Sequence, residues 1–331
     1  KFDTDGVDEV RRKFFGTLYN TYSFFALYAN VDGFEYKEAD VPMAERLEID
    51  RWILSVLNTL IKEVDTCYNE YEPTKAGRLI SDFVNDNLSN WYVRLNRKRF
   101  WGGGFTQDKL SAYQTLYTCL ETVAKLMAPI APFYADRLYS DLIAATGRDS
   151  VVSVHLAKFP ECNESIINKE LETQMQMAQD VTSMVLALRR KVNIKVRQPL
   201  QCIMIPVADE EQKAHIEAVK ALIMNEVNVK DIKFVDGAAG VLVKKVKCDF
   251  KKLGPKFGKQ MKAVAAAVAE MSQEAIAELE KNGKYALNLD GAEAVIEAAD
   301  VEIFSEDIPG WLVANEGKLT VALDVTVTEE L

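Results

Sequence analysis

The chain has 331 residues, of which 48% are hydrophobic and 27% are charged, and its formal net charge is −10. This composition is typical of a folded globular protein of about two or three domains, and it excludes an intrinsically disordered chain. The net negative charge argues against simple non-specific nucleic-acid binding, which usually needs a basic domain.

The first 160 residues have the apolar periodicity of helices joined by short connections, which favours an antiparallel helical bundle. The predicted helices span 7–29, 44–71, 73–100, 106–127 and 130–145. Pro73 lies where a first helical turn would begin, and the consecutive glycines 102–104 end the third helix.

After residue 160 the pattern changes to helices that alternate with short strands, which predicts an α+β region. The predicted helices there span 165–190, 209–224 and 256–282, and the predicted strands span 200–207, 229–235, 241–250, 285–289, 300–304, 311–314 and 318–327. Gly283 is expected to cap the last helix. A further boundary is expected near 237–240, so the predicted domains are 1–160, 161–240 and 241–331.

No apolar run approaches the roughly 18 residues of a membrane-spanning helix, and the first residues lack the pattern of a signal peptide. Five scattered cysteines without a C-x-x-C pair, and only two histidines, argue against a disulfide framework and a metal site. We therefore expect a cytoplasmic protein with no membrane partner, no metal and no cofactor of its own. The residues contain no catalytic constellation, and the glycine-rich segments lack a nucleotide-binding fingerprint.

Three stretches concentrate positive charge in this acidic chain. The first combines cations with aromatic rings at a predicted helix end, and its candidate residues are Trp91, Arg94, Asn96, Arg97, Lys98, Arg99 and Trp101. The candidates of the second are Arg190, Lys191, Lys195 and Arg197. The third, at 241–262, holds eight lysines and one acid, and its candidates are Lys244, Lys245, Lys252, Lys256 and Lys259.

A solvated helix end explains one basic run by itself, because cations are favoured near a helix C-terminus. Three such runs favour a polyanionic ligand, since arginine binds phosphate oxygens bidentately. For Trp91 a second interpretation stays open, because its spacing from Phe83 and Leu88 also suits a core position. The residues after 262 hold 15 acids and three lysines, so charge is segregated along the chain.

Three stretches of the predicted bundle, LEIDRWILSVLNTLI, LSNWYVRLNRKRFW and KLMAPIAPFYADRLY, resemble the anticodon-binding domain of class I aminoacyl-tRNA synthetases. LYNTYSFFALYANVDGF and KKLGPKFGKQM are similar to segments of isoleucyl-tRNA synthetases of the eukaryote-like branch, which also occurs in some bacteria. The resemblance covers nearly the whole chain. It implies a multidomain protein with an all-α anticodon-binding helix bundle followed by an α+β C-terminal region.

The resemblance also implies that the candidate residues contact tRNA, with tRNA-Ile as the expected partner and no DNA. The parent enzyme attaches isoleucine to this tRNA with ATP and Mg in its catalytic domain. This chain lacks the His-x-Gly-His and Lys-Met-Ser-Lys-Ser signatures and any stretch similar to the editing domain. We therefore expect an excised, monomeric piece of the ligase that does not activate an amino acid by itself.

Three alternatives remain open at this point. The bundle is shared with the valine and leucine enzymes, so the same region of a valyl- or leucyl-tRNA synthetase stays an alternative, although the stretches 18–34 and 251–261 point to isoleucine. The basic runs also suit a protein-interaction module that docks an acidic partner. A structural spacer, whose charges serve solubility alone, is the third alternative.

Overall fold

The computed structural model describes residues 3–207, 209–236, 243–289, 292–306, 310–317 and 319–327. The chain forms two compact units, residues 1–172 and 173–331. The boundary predicted near 237–240 lies outside the described residues, and the three predicted domain limits stay a prediction. Within the described ranges, every helix is too short or too polar to span a bilayer.

The first unit is a helical bundle, and the sheets lie in the second unit. This order confirms the prediction of a helical region followed by a region with small sheets. Its α-helices are α1 (Thr4–Val10), α2 (Gly16–Asp32), α3 (Glu48–Asn69), α4 (Pro73–Asp82), α5 (Arg94–Trp101), α6 (Gln107–Met127) and α7 (Pro132–Thr146). The π-helical segment Arg11–Phe15 joins α1 to α2, and the π-helical segment Phe83–Val93 joins α4 to α5.

Local signals fix the ends of these helices as the sequence indicates. Pro73 occupies the first turn of α4, where its missing N–H has no partner to lose. Gly33 ends α2 in the left-handed region at φ 69°, a conformation that costs other residues more. Helix α5 ends at Trp101 beside the predicted glycines, and Gly102 is its C-cap.

The core of the first unit is built from large aromatic and aliphatic side chains. Its largest fully buried members include Trp52, Phe83, Tyr92, Phe100, Tyr113 and Tyr117. Helix α6 contributes to this core along most of its length, and it also buries several polar side chains. Buried polar groups are costly unless they are hydrogen-bonded, so these side chains mark the internal networks described below.

The second unit begins within α8 (Lys169–Lys191) and contains a four-stranded sheet in the order β2-β1-β8-β7. Strand β1 (Leu200–Val207) pairs in parallel with β2 (Val229–Asp236) and antiparallel with β8 (Leu319–Asp324). Strand β7 (Trp311–Glu316) pairs antiparallel with β8. Helices α9 (Glu210–Ala218) and α10 (Lys220–Val227) form the crossover between the two parallel strands.

The other described residues of the second unit form two antiparallel strand pairs and three helices. Strand β3 (Val243–Cys248) pairs with β6 (Val301–Glu306), and β4 (Lys284–Leu289) pairs with β5 (Ala292–Glu297). The helices are α11 (Phe250–Phe257), α12 (Met261–Ala269) and α13 (Gln273–Asn282). Their shared core includes Val246, Leu253, Val264, Ile276 and Ile296.

Three sequence predictions in this part are wrong in detail. The range predicted as one helix, 256–282, contains the end of α11 and the separate helices α12 and α13, because Gly258 adopts φ 47° and the Ser272 side chain starts α13 by accepting a hydrogen bond from the Ala275 N–H. The single helix predicted over 209–224 is α9 and α10, and strand β5 was not predicted. The expected cap at Gly283 is confirmed, since this residue has φ 72° and donates its N–H to the Leu279 carbonyl.

Candidate nucleic-acid interface

The outer face of α5 carries four exposed side chains that form one continuous row, which we call the outer stripe: Arg94, Arg97, Lys98 and Trp101. They lie three, four and seven residues apart, which places them on one side of a helix. Trp101 is 55% exposed. Among the described residues, neither Arg97 nor Lys98 has a carboxylate partner.

Arg94 is already engaged with its own helix. Its Nε donates to the carbonyl oxygen of Asn90 at 2.8 Å, and its guanidinium lies 5.6 Å from the centroid of the Trp91 ring. These contacts orient the guanidinium along the helix surface and leave the side chain exposed. The outer stripe therefore offers cations beside an exposed indole, the combination that binds phosphates and stacks on unpaired bases.

The other candidates of the first cluster point into the protein. Trp91 and Asn96 are each 5% exposed, and the Asn96 Nδ2 donates to the Tyr92 carbonyl at 2.7 Å. Trp91 therefore has the core position that its spacing also allowed. Neither side chain presents a face to a ligand, so the structure corrects the prediction that these two residues contact RNA.

Arg99 is the centre of a buried network, the Asp50 network, which consists of Asp50, Tyr92, Arg99, Asp108 and Ser111. The guanidinium donates to the Asp50 carboxylate at 2.7 and 2.8 Å and to the Asp108 carboxylate at 2.6 and 3.0 Å. Asp50 also accepts from the Tyr92 hydroxyl at 2.6 Å and from the Ser111 hydroxyl at 2.9 Å. The Asp50 side chain is 0% exposed and that of Arg99 is 11% exposed.

Burial and charge pairing together shift the pKa values of Arg99 and Tyr92 in the Asp50 network. Burial by itself lowers the pKa of the Arg99 guanidinium, but its hydrogen bonds to Asp50 and Asp108 outweigh burial and raise the pKa above the ordinary value. Burial and the adjacent Asp50 charge raise the pKa of Tyr92. The charge of Arg99 is thus used inside the protein to join α5 to α3 and α6. We correct its predicted role from an RNA contact to a structural one.

The second cluster surrounds the end of α8 and the loop that leads to β1. Arg190, Lys191, Lys195 and Arg197 are exposed as predicted. Arg189, which is not among the candidates, is 1% exposed. Its Nη1 donates to the carbonyl oxygens of Lys195 and Gln198 at 3.2 and 2.9 Å, and its Nη2 to that of Asn228 at 2.9 Å.

The third cluster is partly neutralised by the acid-rich stretch that follows it in the sequence. Lys244 Nζ lies 2.7 Å from the Glu280 carboxylate, and Lys256 Nζ lies 2.7 Å from the Asp300 carboxylate. The hydrogen bond from Lys256 lowers the pKa of Asp300. Both lysines were predicted to contact tRNA. The structure corrects this prediction, because their charges are already paired with carboxylates of the protein.

The remaining lysines of the third cluster keep more of their charge at the surface. Lys252 donates to the Ala299 carbonyl at 2.7 Å, and its nearest carboxylate oxygen, on Asp249, is 3.8 Å away. Lys245 and Lys259 are exposed, and Lys245 has an interaction of its own within the protein. The predicted tRNA contacts of these residues, of the second cluster and of the outer stripe stay predictions.

Three charged residues with internal roles, Asp50, Asp108 and Arg189, were not predicted from the sequence. Asp50 carried a usable signal, because it sits beside the apolar stripe of Ile49, Trp52 and Ile53. A charged residue next to such a stripe is rarely buried without a partner. Asp108 and Arg189 stand among other charged residues, so nothing local separates them from solvated side chains.

Comparison with known proteins places these observations in a family context. Residues 50–204 match the family described as anticodon-binding domain of tRNA ligase. The whole chain aligns with proteins named isoleucine–tRNA ligase, at 94% identity in Bacteroides thetaiotaomicron, 66% in Porphyromonas gingivalis and 36% in Clostridium tetani. Each alignment covers 100% of this chain but only 28%, 29% and 31% of the respective relative.

The chain therefore spans less than a third of the length of these curated relatives. All three relatives are bacterial, which contradicts the assignment to a eukaryote-like branch. The match at 50–204 includes the outer stripe, the Asp50 network and the second basic cluster. Residues 50–204 are thus similar to the anticodon-binding domain of tRNA ligases, within a sequence that is similar over its whole length to part of isoleucine–tRNA ligases.

Proposed function

We propose that this chain is the tRNA-recognition part of an isoleucine–tRNA ligase, an enzyme that attaches isoleucine to tRNA-Ile. The observation that carries the proposal is the outer stripe, which lies inside the segment that matches an anticodon-binding domain. Its cations face outward together with an exposed tryptophan, while the carboxylates of Asp50 and Asp108 are paired with Arg99.

The physical basis is the match between this surface and an anticodon loop. Arg97 and Lys98 are positioned to neutralise backbone phosphates, and each such contact releases bound counter-ions. Trp101 offers an exposed indole to an unpaired base, an interaction of about 1–3 kcal/mol. In this proposal the exposed second cluster and the exposed Lys252 and Lys259 of the third cluster supply further phosphate contacts from the second unit.

The rest of the proposed enzyme lies beyond these residues. Activation of isoleucine with ATP and Mg is assigned to another part of the ligase, and we expect this chain by itself to bind tRNA without charging it. We further propose that it acts as a monomer in the cytoplasm. The similarity of the whole chain to isoleucine–tRNA ligases favours tRNA-Ile over the tRNAs of valine and leucine.

The test compares the double substitution Arg97→Ala/Lys98→Ala with the control Lys75→Ala/Lys158→Ala, which also removes two exposed cations of the first unit. Binding of a tRNA-Ile transcript is measured across a series of salt concentrations. We expect the first variant to bind at least about tenfold more weakly. Its log–log salt slope should fall by about 0.7–0.9 for each phosphate contact that is lost. Thermal unfolding should be unchanged in both variants.

Equal affinity and equal slope in the two variants would reject the outer stripe as the interface. Transcripts of tRNA-Val and tRNA-Leu serve as competitors, and tighter binding of either would reject the isoleucine assignment. Polyglutamate tests the docking of an acidic protein. If it displaces tRNA at equal charge concentration, the surface is a general polyanion site rather than an RNA-recognition site.

A further inference from the structure

The end of α8 holds a buried cation that has no acidic partner among the residues that the structure describes. Arg189 is 1% exposed, its three hydrogen bonds go to carbonyl oxygens, and its Nε has no partner among the described residues. Burial lowers the pKa of this guanidinium, because no neighbouring carboxylate replaces the water that is lost. The contrast with Arg99, which has two carboxylate partners, is direct.

An uncompensated buried charge destabilises a protein unless a counter-ion reaches it. The three carbonyl groups offset part of this cost, but each oxygen has only a partial negative charge. An anion near the guanidinium would neutralise the remainder, and the attraction is stronger than at the surface because the buried guanidinium is screened less by solvent. The local electrostatics therefore favour an anionic ligand.

Arg189 lines a cavity of about 650 Å³ that is open to solvent, which is within the usual range for ligand sites. Arg190 and Lys195 also line the cavity, and both are exposed and without an ion pair to any described residue. None of the residues that line it is acidic. Asn193, at φ 56°, shapes the turn on which the rim is built.

We propose that this cavity binds a phosphate group, which Arg190 and Lys195 hold at the rim while the buried charge of Arg189 attracts it. Arg189 is a positioning residue, because its bond to the Lys195 carbonyl fixes the loop that carries the Lys195 side chain. The phosphate belongs either to the backbone of a bound RNA or to a free phosphate ester. The first source rests on the proposed function, and the second is independent of it.

The RNA source is tested with the double substitution Arg190→Gln/Lys195→Gln. The matched control is Lys281→Gln/Lys284→Gln, which removes two exposed lysines of the same unit outside the three clusters. Binding of a tRNA-Ile transcript is measured against salt. We expect about a tenfold loss of affinity at low salt and a slope smaller by about 0.7–0.9 in the first variant only.

The free-phosphate source is tested without RNA. The unfolding temperature of the whole chain is measured in inorganic phosphate and in sodium chloride at equal ionic strength. A ligand that binds only the folded state stabilises it by RT ln(1 + [L]/Kd), so the unfolding temperature rises with ligand concentration. Phosphate also stabilises folded proteins non-specifically, so we expect a larger rise in the wild type and in Lys281→Gln/Lys284→Gln than in Arg190→Gln/Lys195→Gln.

A loss in the RNA assay alone identifies an RNA phosphate, and a loss in the phosphate assay alone identifies a free ester. No difference between the two double variants in either assay overturns the proposal. If the wild type binds no tRNA at low salt, the proposed function is rejected. The phosphate assay then shows by itself whether the cavity binds a phosphate group. Arg189→Gln, if folded, should lose the same binding; if it does not fold, the rim variant decides.

Discussion

Replacing Arg99 with methionine should destabilise the protein rather than act on RNA directly. The change removes the guanidinium and leaves the Asp50 carboxylate, whose side chain is 0% exposed, with only the Tyr92 and Ser111 hydroxyls as donors. Breaking a buried ion pair from one side costs about 3–5 kcal/mol, because the remaining charge is buried without a counter-ion. Methionine keeps the length of the side chain, so lost packing adds little.

The assay is thermal and urea unfolding, with Lys98→Met as the control on the same helix. For a unit of 172 residues, one kcal/mol corresponds to roughly 2–4 °C, so Arg99→Met should lower the unfolding temperature by about 6–20 °C. Lys98 is exposed, and its substitution should change the free energy of unfolding by no more than about 0.5 kcal/mol.

RNA binding, measured well below the unfolding temperature, should be weakened by Lys98→Met and not by Arg99→Met, which is the reverse of their effects on stability. Lys98→Met should reduce the salt slope, whereas Arg99→Met should leave it unchanged, because only Lys98 faces outward. The combined variant Asp50→Leu/Arg99→Met should recover part of the lost stability, since it removes both buried charges. An unfolding temperature for Arg99→Met within about 2 °C of that for Lys98→Met would refute the structural role.

Two further predictions concern the second unit and helix ends. Lys256 lowers the pKa of Asp300 below its ordinary 3.8, so the stabilisation from this pair is complete above about pH 4 and is lost as the pH falls through the folded-state pKa. Urea unfolding between about pH 5 and pH 2 should therefore be less pH-dependent in Asp300→Asn, and equal pH dependence would contradict the pairing. Gly283→Ala should lower the free energy of unfolding by about 1–2 kcal/mol, because Gly283 has φ 72°, which is unfavourable for alanine. No atom lies within 4 Å of the position that an alanine Cβ would occupy, so the cost comes from the backbone conformation alone. Gly77→Ala, inside α4 with an ordinary 3.6 Å contact to Ile130, should be neutral or stabilising, and equal effects of the two glycine changes would count against this reasoning.

The helices of the first unit were predictable because their signals are local. Apolar periodicity, Pro73 at a helix start and Gly33 at a helix end all act within one or two turns of the chain, as does Gly283 in the second unit. The similarity of several stretches to anticodon-binding domains was readable for the same reason, since it depends on contiguous residues. The break at Gly258 within 256–282 was missed because high helix propensity over the alanines concealed it.

The availability of each cation was decided only by tertiary structure. Asp50, Glu280 and Asp300 lie 49, 36 and 44 residues from the cations that they pair with, Arg99, Lys244 and Lys256. Trp91 and Trp101 look alike in the sequence, but one is 5% exposed and the other 55%. The sequence by itself determined that positive charge collects in three stretches of an acidic chain. Which of those charges remain available to a ligand depends on folding, because distant carboxylates and buried surfaces are brought to them only in the folded protein.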